Sequence, residues 1–353
     1  MAINSSTANR STTEFELDKQ QVAINVMYII TGGCVAFGNM LMILAIISNK
    51  QLRSRKELIM VSGQSFSDWI YGFGFFIGGA RRLYLVINGL SRVPVSPWHC
   101  MHAEAATFFY LVGPQAGALM NCFVSVDRLI AVTFISLYGR LNTTYIGVVL
   151  GCAYGYALLS YMVGFFLSYN LKEKTVFLQC LSTWASTPEY AVYYTALITT
   201  AEITAICLYV AVMIIMKYRT ITSHPSLQDA QHKRQAKVTK AVSLVVTSTL
   251  IFYVIPWLTH SALNALDVKL GAAGFISPLM WVLIQSNNVF NVAIYLSKLR
   301  EVRQAVLSMI TCGKYIPKTN NNTVRIAPQS FNNKNSSFAG ANNNLSITGS
   351  RSK

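Results

Sequence analysis

The sequence predicts an all-α membrane protein: a seven-transmembrane helix bundle followed by a short amphipathic interfacial helix. Three observations predict it. The 353-residue chain is 53% hydrophobic and only 12% charged, where soluble domains carry roughly 25% charged residues. Apolar stretches at 23–47, 57–80, 102–133, 144–168, 189–216, 238–263 and 271–296 each reach the roughly 20 residues that a helix needs to cross the hydrocarbon core. None shows the period-2 alternation of a membrane barrel, and a helix satisfies its own backbone groups where lipid cannot.

Charge placement orients the bundle. The formal net charge of +16 would suit nucleic acid if it were spread over a soluble surface, but 21 of the 29 Lys and Arg fall in 49–57, 128–143, 217–240 and the tail from Lys298. Cationic loops stay on the cytoplasmic side. The N-terminus is therefore expected outside and the tail inside, with the basic excess facing anionic lipid and cytosolic partners. A nucleic-acid role is excluded on this placement, and plasma-membrane localisation is expected.

The elements follow in order. Residues 1–22 are polar and form an extracellular tail with two glycosylation sequons, at Asn4 and Asn9, and no cleavable signal is visible. The membrane domain is 23–296. Asn39 lies in the first stretch and Asp68 in the second, which also carries Phe73, Phe75 and Phe76, a stripe read as lipid-facing. Arg81, Arg82 and Arg92 break the charge rule at the outer mouth, beside His99 and His102, and would favour an acidic ligand or lipid phosphate. Cys100 and Cys180 both face the oxidising side, where a bridge between them is chemically reasonable. The third stretch contains Gly113-Pro114 and ends at Asp127 and Arg128, a bare ion pair at the mouth of a membrane helix; such charges are costly and mark function. Asn142-Thr143-Thr144 also fits a sequon but falls on the cytosolic side. After the seventh stretch, 297–312 alternates apolar and basic faces at helical spacing, suited to the inner interface, and Cys312 is a palmitoylation candidate. Residues 313–353 are Asn- and Ser-rich and are expected to be disordered.

Asn39, Asp68, Asn287, Asn288 and Asn291 are polar groups at mid-membrane depth on three spans. Buried polar groups need partners, so these are expected to face one another in a hydrogen-bonded cluster with water or a sodium ion. Such a cluster is either static glue between helices or a bistable switch.

Taken together, Gly38-Asn39, Asp68, Asp127-Arg128-Leu129, Pro256 and Asn291-Val292-Ala293-Ile294-Tyr295, in order on the right spans with an outer cysteine pair, resemble the rhodopsin-like G-protein-coupled receptors. Leu52-Arg53-Ser54 and the Asp-Arg-Leu triplet make the chain most similar to nematode serpentine chemoreceptors of the srsx type. The resemblance covers about 23–312. It implies that Arg128 contacts a heterotrimeric G protein, that Tyr295 swings toward Arg128 on activation, and that an extracellular small molecule or peptide binds near Tyr110, Gln115, Glu202, Trp257, His260, Trp281 and Gln285. Tyr110 stands where amine receptors carry an Asp, which disfavours a monoamine. Glu202 either receives a cationic ligand or pairs with His260. An arrestin and a receptor kinase at the tail, and a sensory cilium, are further implications.

The departures are specific. Span four lacks the family's Trp, span five its Pro, Val254 replaces the Trp before Pro256, and Val292 replaces the seventh-span Pro. Cys100 and Arg128 are 28 residues apart, about three more than usual, so either the third helix is longer or Gly113-Pro114 distorts it. No acidic residue accompanies Lys233, Arg234, Lys237 and Lys240 at the opening of span six, so Asp127 is expected to be the only local brake on Arg128 and basal signalling to be elevated. A transporter or channel is the alternative reading, but inverted repeats and rings of charge are not evident. The five histidines are scattered and no catalytic motif occurs; neither an enzyme, a cofactor nor a metal site is expected.

Overall fold

Helix α1 spans Asn4–Ser48 in the computed structural model, which describes residues 4–173, 175–180, 185–222, 229–265 and 273–311. It starts well ahead of the apolar stretch that begins near residue 23. Asn49 then breaks the chain and caps α2, Lys50–Arg53, its side-chain oxygen accepting from the backbone of Gln51 and Leu52. Such a cap satisfies amide groups that the first helical turn leaves open. Helix α3 covers Lys56–Ile87.

The outer segment after α3 forms a two-residue strand, β1 at Pro94–Val95, and a short helix, α4 at Pro97–Ala103. Ser96 caps α4 through the backbone N–H of His99, and Pro97 sits in the first turn, where it has no amide to lose. Glu104 is extended (φ −107°, ψ 97°), and α5, Ala105–Thr133, starts after it. The expected third span from 102 is therefore corrected: Cys100 lies on a separate helix. The break at Glu104, not a longer helix and not Gly113-Pro114, accommodates the extra residues between Cys100 and Arg128. Helix α5 runs through Pro114 without ending.

Helix α6, Ile135–Arg140, leads into α7, Thr143–Ser168. The sequon-like Asn142 serves as the cap of α7, accepting from Tyr145 N at 3.3 Å. Strand β2, Val176–Phe177, pairs antiparallel with β1, with Pro94 opposite Phe177. Helix α8 spans Pro188–Thr222 and α9 Asp229–Thr249. A π-helical turn, Leu250–Val254, then leads into α10, Ile255–Ala265. Pro256 explains the turn: its ring lacks an N–H and crowds the preceding turn, so the ladder shifts register locally. Helix α11 is Ala273–Lys298 and α12 is Arg300–Ile310. Val302 and Val306, one turn apart on α12, are buried while Arg300 is exposed.

Among the described residues six helices are long and apolar enough to cross a membrane: Lys19–Ser48, Lys56–Ile87, Ala105–Thr133, Thr144–Ser168, Pro188–Tyr218 and Thr239–Thr259. They bury polar residues and turn Phe37, Leu159, Phe166, Val192, Val210 and Ile255 outward, the inverse of a soluble fold. Helix α5 packs against α3, α7 and α8, and α1 against α3 and α11.

The α1–α3 contact depends on two glycines. A Cβ at Gly32 would lie 2.6 Å from Phe76 N and 2.7 Å from Gly72 O, and one at Gly72 would lie 2.5 Å from Val35 Cγ1. Backbone cannot yield as a flexible side chain can. Gly32→Ala is therefore expected to cost about 1–3 kcal/mol through overpacking. A lowered melting temperature and reduced folded yield would register it, with Gly155→Ala as control, since a Cβ there meets nothing within 4 Å.

Candidate functional site

The C-terminal end of α5 holds the first constellation. Asp127 and Arg128 are both 2% exposed. Arg128 donates from Nε to Asp127 Oδ2 at 3.1 Å, and its Nη2 makes a second, close bond to the same carboxylate. The same Nη2 donates to the Tyr138 hydroxyl at 2.9 Å, and that hydroxyl lies 3.4 Å from Asp127 Oδ2 as its donor. Burial pushes the Tyr138 phenol up from its ordinary value, so it keeps its proton and donates. Asp127 is thus not the only residue that holds Arg128; Tyr138, on α6, does so too. Lys56 in turn fastens α6: its ammonium bonds the carbonyls of Tyr138 and Leu141 and sits 3.7 Å over the Tyr138 ring. Tyr295 is buried in the apolar cluster of this half together with Tyr209, Met60 and Val124. The side chains of Lys233, Arg234 and Lys237 lie outside the described residues.

The second constellation is mid-bundle. Asn291 Nδ2 donates to Asp68 Oδ2 at 3.3 Å. Asn287 accepts from Ser248 Oγ at 2.9 Å and donates to Thr249 Oγ1 at 3.3 Å, tying α11 to α9. Asn288 is buried beside them. Asn39 is directed elsewhere, to Val35 O on its own helix at 3.0 Å. Glu202 belongs to this level: both its oxygens accept from Asn121 Nδ2, at 2.9 and 3.2 Å. A cavity of about 30 Å³ is lined by Asp68, Glu202, Asn121, Asn288 and Asn291 and floored by Tyr71 and Tyr253, room for about one or two waters or a small cation. The donor set is all oxygen and nitrogen, which suits hydrogen bonding to water or a hard cation. Among the described residues no group of three or more His, Cys, Asp or Glu is arranged to hold a metal.

The third constellation, at the opposite end of the bundle from Arg128, is a lidded aromatic cluster. A disulfide joins Cys100 to Cys180, and Cys180 has a left-handed φ of 48°. Arg82, 7% exposed, donates to Gln179 O at 3.0 Å and Cys180 O at 3.1 Å; Arg81 donates to Leu178 O at 3.0 Å and pairs with Glu104. Burial raises the Glu104 carboxyl and the neighbouring Arg81 opposes that rise. Arg81 and Arg82, expected to line the mouth for an acidic ligand, instead hold the lid. His99 and His102 pack against each other on α4 at 5.6 Å, and Arg92 is exposed.

Beneath the lid, Tyr110 joins Tyr28, Tyr71, Phe75, Trp257 and Ile284 in a buried cluster, with Trp281 packed on Trp257 at 5.7 Å. Phe75 is therefore core, which corrects the lipid-facing reading of that stripe; Phe76 is outward, at 40% exposure. Trp257 Nε1 donates to Thr199 Oγ1 at 3.2 Å. Gln115 donates to Leu111 O and Tyr190 OH. Gln285 is fully buried with neither amide atom hydrogen-bonded. The side chains of His260, Asn4 and Asn9 lie outside the described residues, as does Cys312 with the tail.

The structure thus brings Tyr110, Trp257 and Trp281 together, places Glu202 one level deeper, and adds Tyr138, Lys56, Asn121, Ser248 and Thr249. Asn121 carried a usable signal, an amide in an otherwise apolar run seven residues before Arg128. Tyr138 carried none, because a loop tyrosine has no period to betray its direction. A sequence model of the family described as "Serpentine type 7TM GPCR chemoreceptor Srsx" matches residues 33–310, a stretch that contains all three constellations apart from Tyr28.

Proposed function

Since the chain belongs to the serpentine srsx chemoreceptor family, we propose that it binds an extracellular ligand beneath its lid and activates a heterotrimeric G protein through Arg128. The observation that carries this reading is the buried Asp127–Arg128–Tyr138 unit at the end of α5. A guanidinium held inside by a carboxylate and a phenol, both of which it can leave, suits a two-state element. Ligand binding would shift the population toward the state in which Arg128 is freed for the G protein. In this reading α11 is the seventh span, α12 lies in the inner interface, and the N-terminus faces outward in the plasma membrane. Residues 23–296 form the receptor domain and 313–353 the cytoplasmic tail, where arrestin and a receptor kinase would act. Asp68, Asn291, Asn287 and Asn288 form the switching core, and Tyr295 moves toward Arg128 on activation. Asn4 and Asn9 are glycosylated, and Cys312 is palmitoylated.

The test is second-messenger output in cells expressing the full chain against a panel of chemically diverse odorants and peptides. Arg128→Ala is expected to abolish every response while surface levels persist. A response of unchanged size in Arg128→Ala would overturn the coupling role. Antibody access to an N-terminal tag on intact cells checks the orientation.

A further inference from the structure

Buried amides almost always find partners, and one left without any costs stability. Gln285 breaks that rule twice, with Nε2 and Oε1 both unpartnered at 0% exposure. It lies one helical turn beyond Trp281, on the same face of α11, and its neighbour Ile284 belongs to the aromatic cluster. Gln115 Oε1 is unpartnered as well. The rings of that cluster are closely packed, with Phe75 and Tyr110 at 4.9 Å and Tyr71 and Phe75 at 5.0 Å.

Among the described residues, the charges nearby are already engaged. Arg82 holds two lid carbonyls, Arg81 holds Glu104, Glu202 takes the Asn121 amide, and Asp68 takes the Asn291 amide. A cationic or anionic ligand would have to break one of these pairs or enter the bundle uncompensated, at a cost of several kcal/mol. An uncharged ligand breaks none and supplies what Gln285 lacks.

Resting on the receptor reading above, we propose that the ligand is an uncharged molecule with an aromatic or aliphatic body and a hydrogen-bonding oxygen, such as a ketone, ester, amide or alcohol, and that Gln285 is the residue that recognises that oxygen. The body would enter by parting the packed rings of Tyr110, Phe75, Trp257 and Trp281. The Gln285 amide offers an N–H to a carbonyl or a carbonyl to a hydroxyl. Recognition of this kind rejects analogues that lack the polar group, because the amide is then left unpaired again.

Two measurements on the full-length receptor test this. In nanodiscs without ligand, Gln285→Leu is expected to raise the apparent melting temperature by about 3 °C, since an apolar side chain of similar volume removes an unsatisfied amide. A fall in melting temperature would show that the amide is structurally bonded and would overturn the proposal, and this outcome does not depend on finding an agonist. In cells, acetophenone, 2-phenylethylammonium and phenylacetate are compared at matched concentrations in the wild type, Gln285→Leu and Arg128→Ala. The expected result is a response confined to acetophenone and weakened at least tenfold by Gln285→Leu. A stronger, Arg128-dependent response to either ion would sink the ligand class and leave the coupling reading intact. A response that survives Arg128→Ala would instead sink the coupling reading.

Discussion

Asp127→Asn is expected to raise ligand-independent signalling about tenfold or more. Arg128 sits at 2% exposure with Asp127 as its only ionic partner among the described residues. Removing one partner of a buried pair leaves an uncompensated charge, which typically costs about 3–5 kcal/mol. That cost falls on the closed state, where Arg128 is buried, and largely spares a state in which it reaches water or a partner protein. A shift of only about 1.4 kcal/mol between the two is tenfold in population. Tyr138→Phe removes the bond accepted from Arg128 and the longer bond donated to Asp127, together worth about 1 kcal/mol, and should raise basal output about fivefold. The expected order is therefore Asp127→Asn above Tyr138→Phe above wild type, with the Asp127→Asn/Arg128→Ala double variant silent. Second-messenger output per surface receptor without ligand measures it. Asp127→Asn at or below wild type would remove the brake from the account. Because Tyr138 shares the restraint, basal signalling in the wild type should be lower than the lack of an acid on span six suggested.

Six spans, the Cys100–Cys180 bridge and the Asp127–Arg128 couple were legible in the sequence because each depends on features that a linear reading sees: apolar length, cysteines in a shared setting, and charge beside hydrocarbon. What was not legible is direction. Depth along a span placed Glu202 near a ligand, but its partner Asn121 lies on another helix, and only packing brings the two within 2.9 Å. Arg81 and Arg82 read as a cationic mouth because sequence does not show that the loop around Cys180 folds back far enough to present its carbonyls. The break at Glu104 was hidden too, since 102–133 is apolar enough to read as one helix. Tyr71 and Tyr253 link the levels: each belongs to the aromatic cluster and also floors the polar cavity. In the proposed mechanism, a ligand that repositions either ring would change the wall of the cavity that Asp68 and Glu202 also line.

The second large effect concerns the lid. Cys180→Ser is expected to lower the apparent melting temperature by about 5–10 °C, and dithiothreitol should reproduce the loss in the wild type. The bridge closes a sequence separation of 80 residues, for which chain entropy alone gives about 4.5 kcal/mol. That figure is an upper bound, because α5 and α7 within the loop remain helical in lipid and the open chain has less freedom to lose. Without the bridge the lid keeps the Arg82 bonds to Gln179 O and Cys180 O, the Arg81 bond to Leu178 O, the β1–β2 pair and the Gln179–Gln21 contact. Each of these is worth about 1 kcal/mol, or somewhat more where the donor is charged. Arg82→Ala should accordingly cost less than Cys180→Ser, and its effect should grow when both are made, because the two restraints act on the same segment. Cys100→Ser should match Cys180→Ser, and the double cysteine variant should cost no more than either single one. An additive double variant would mean that the thiols contribute separately and that the bridge is not what holds the lid over the aromatic cluster.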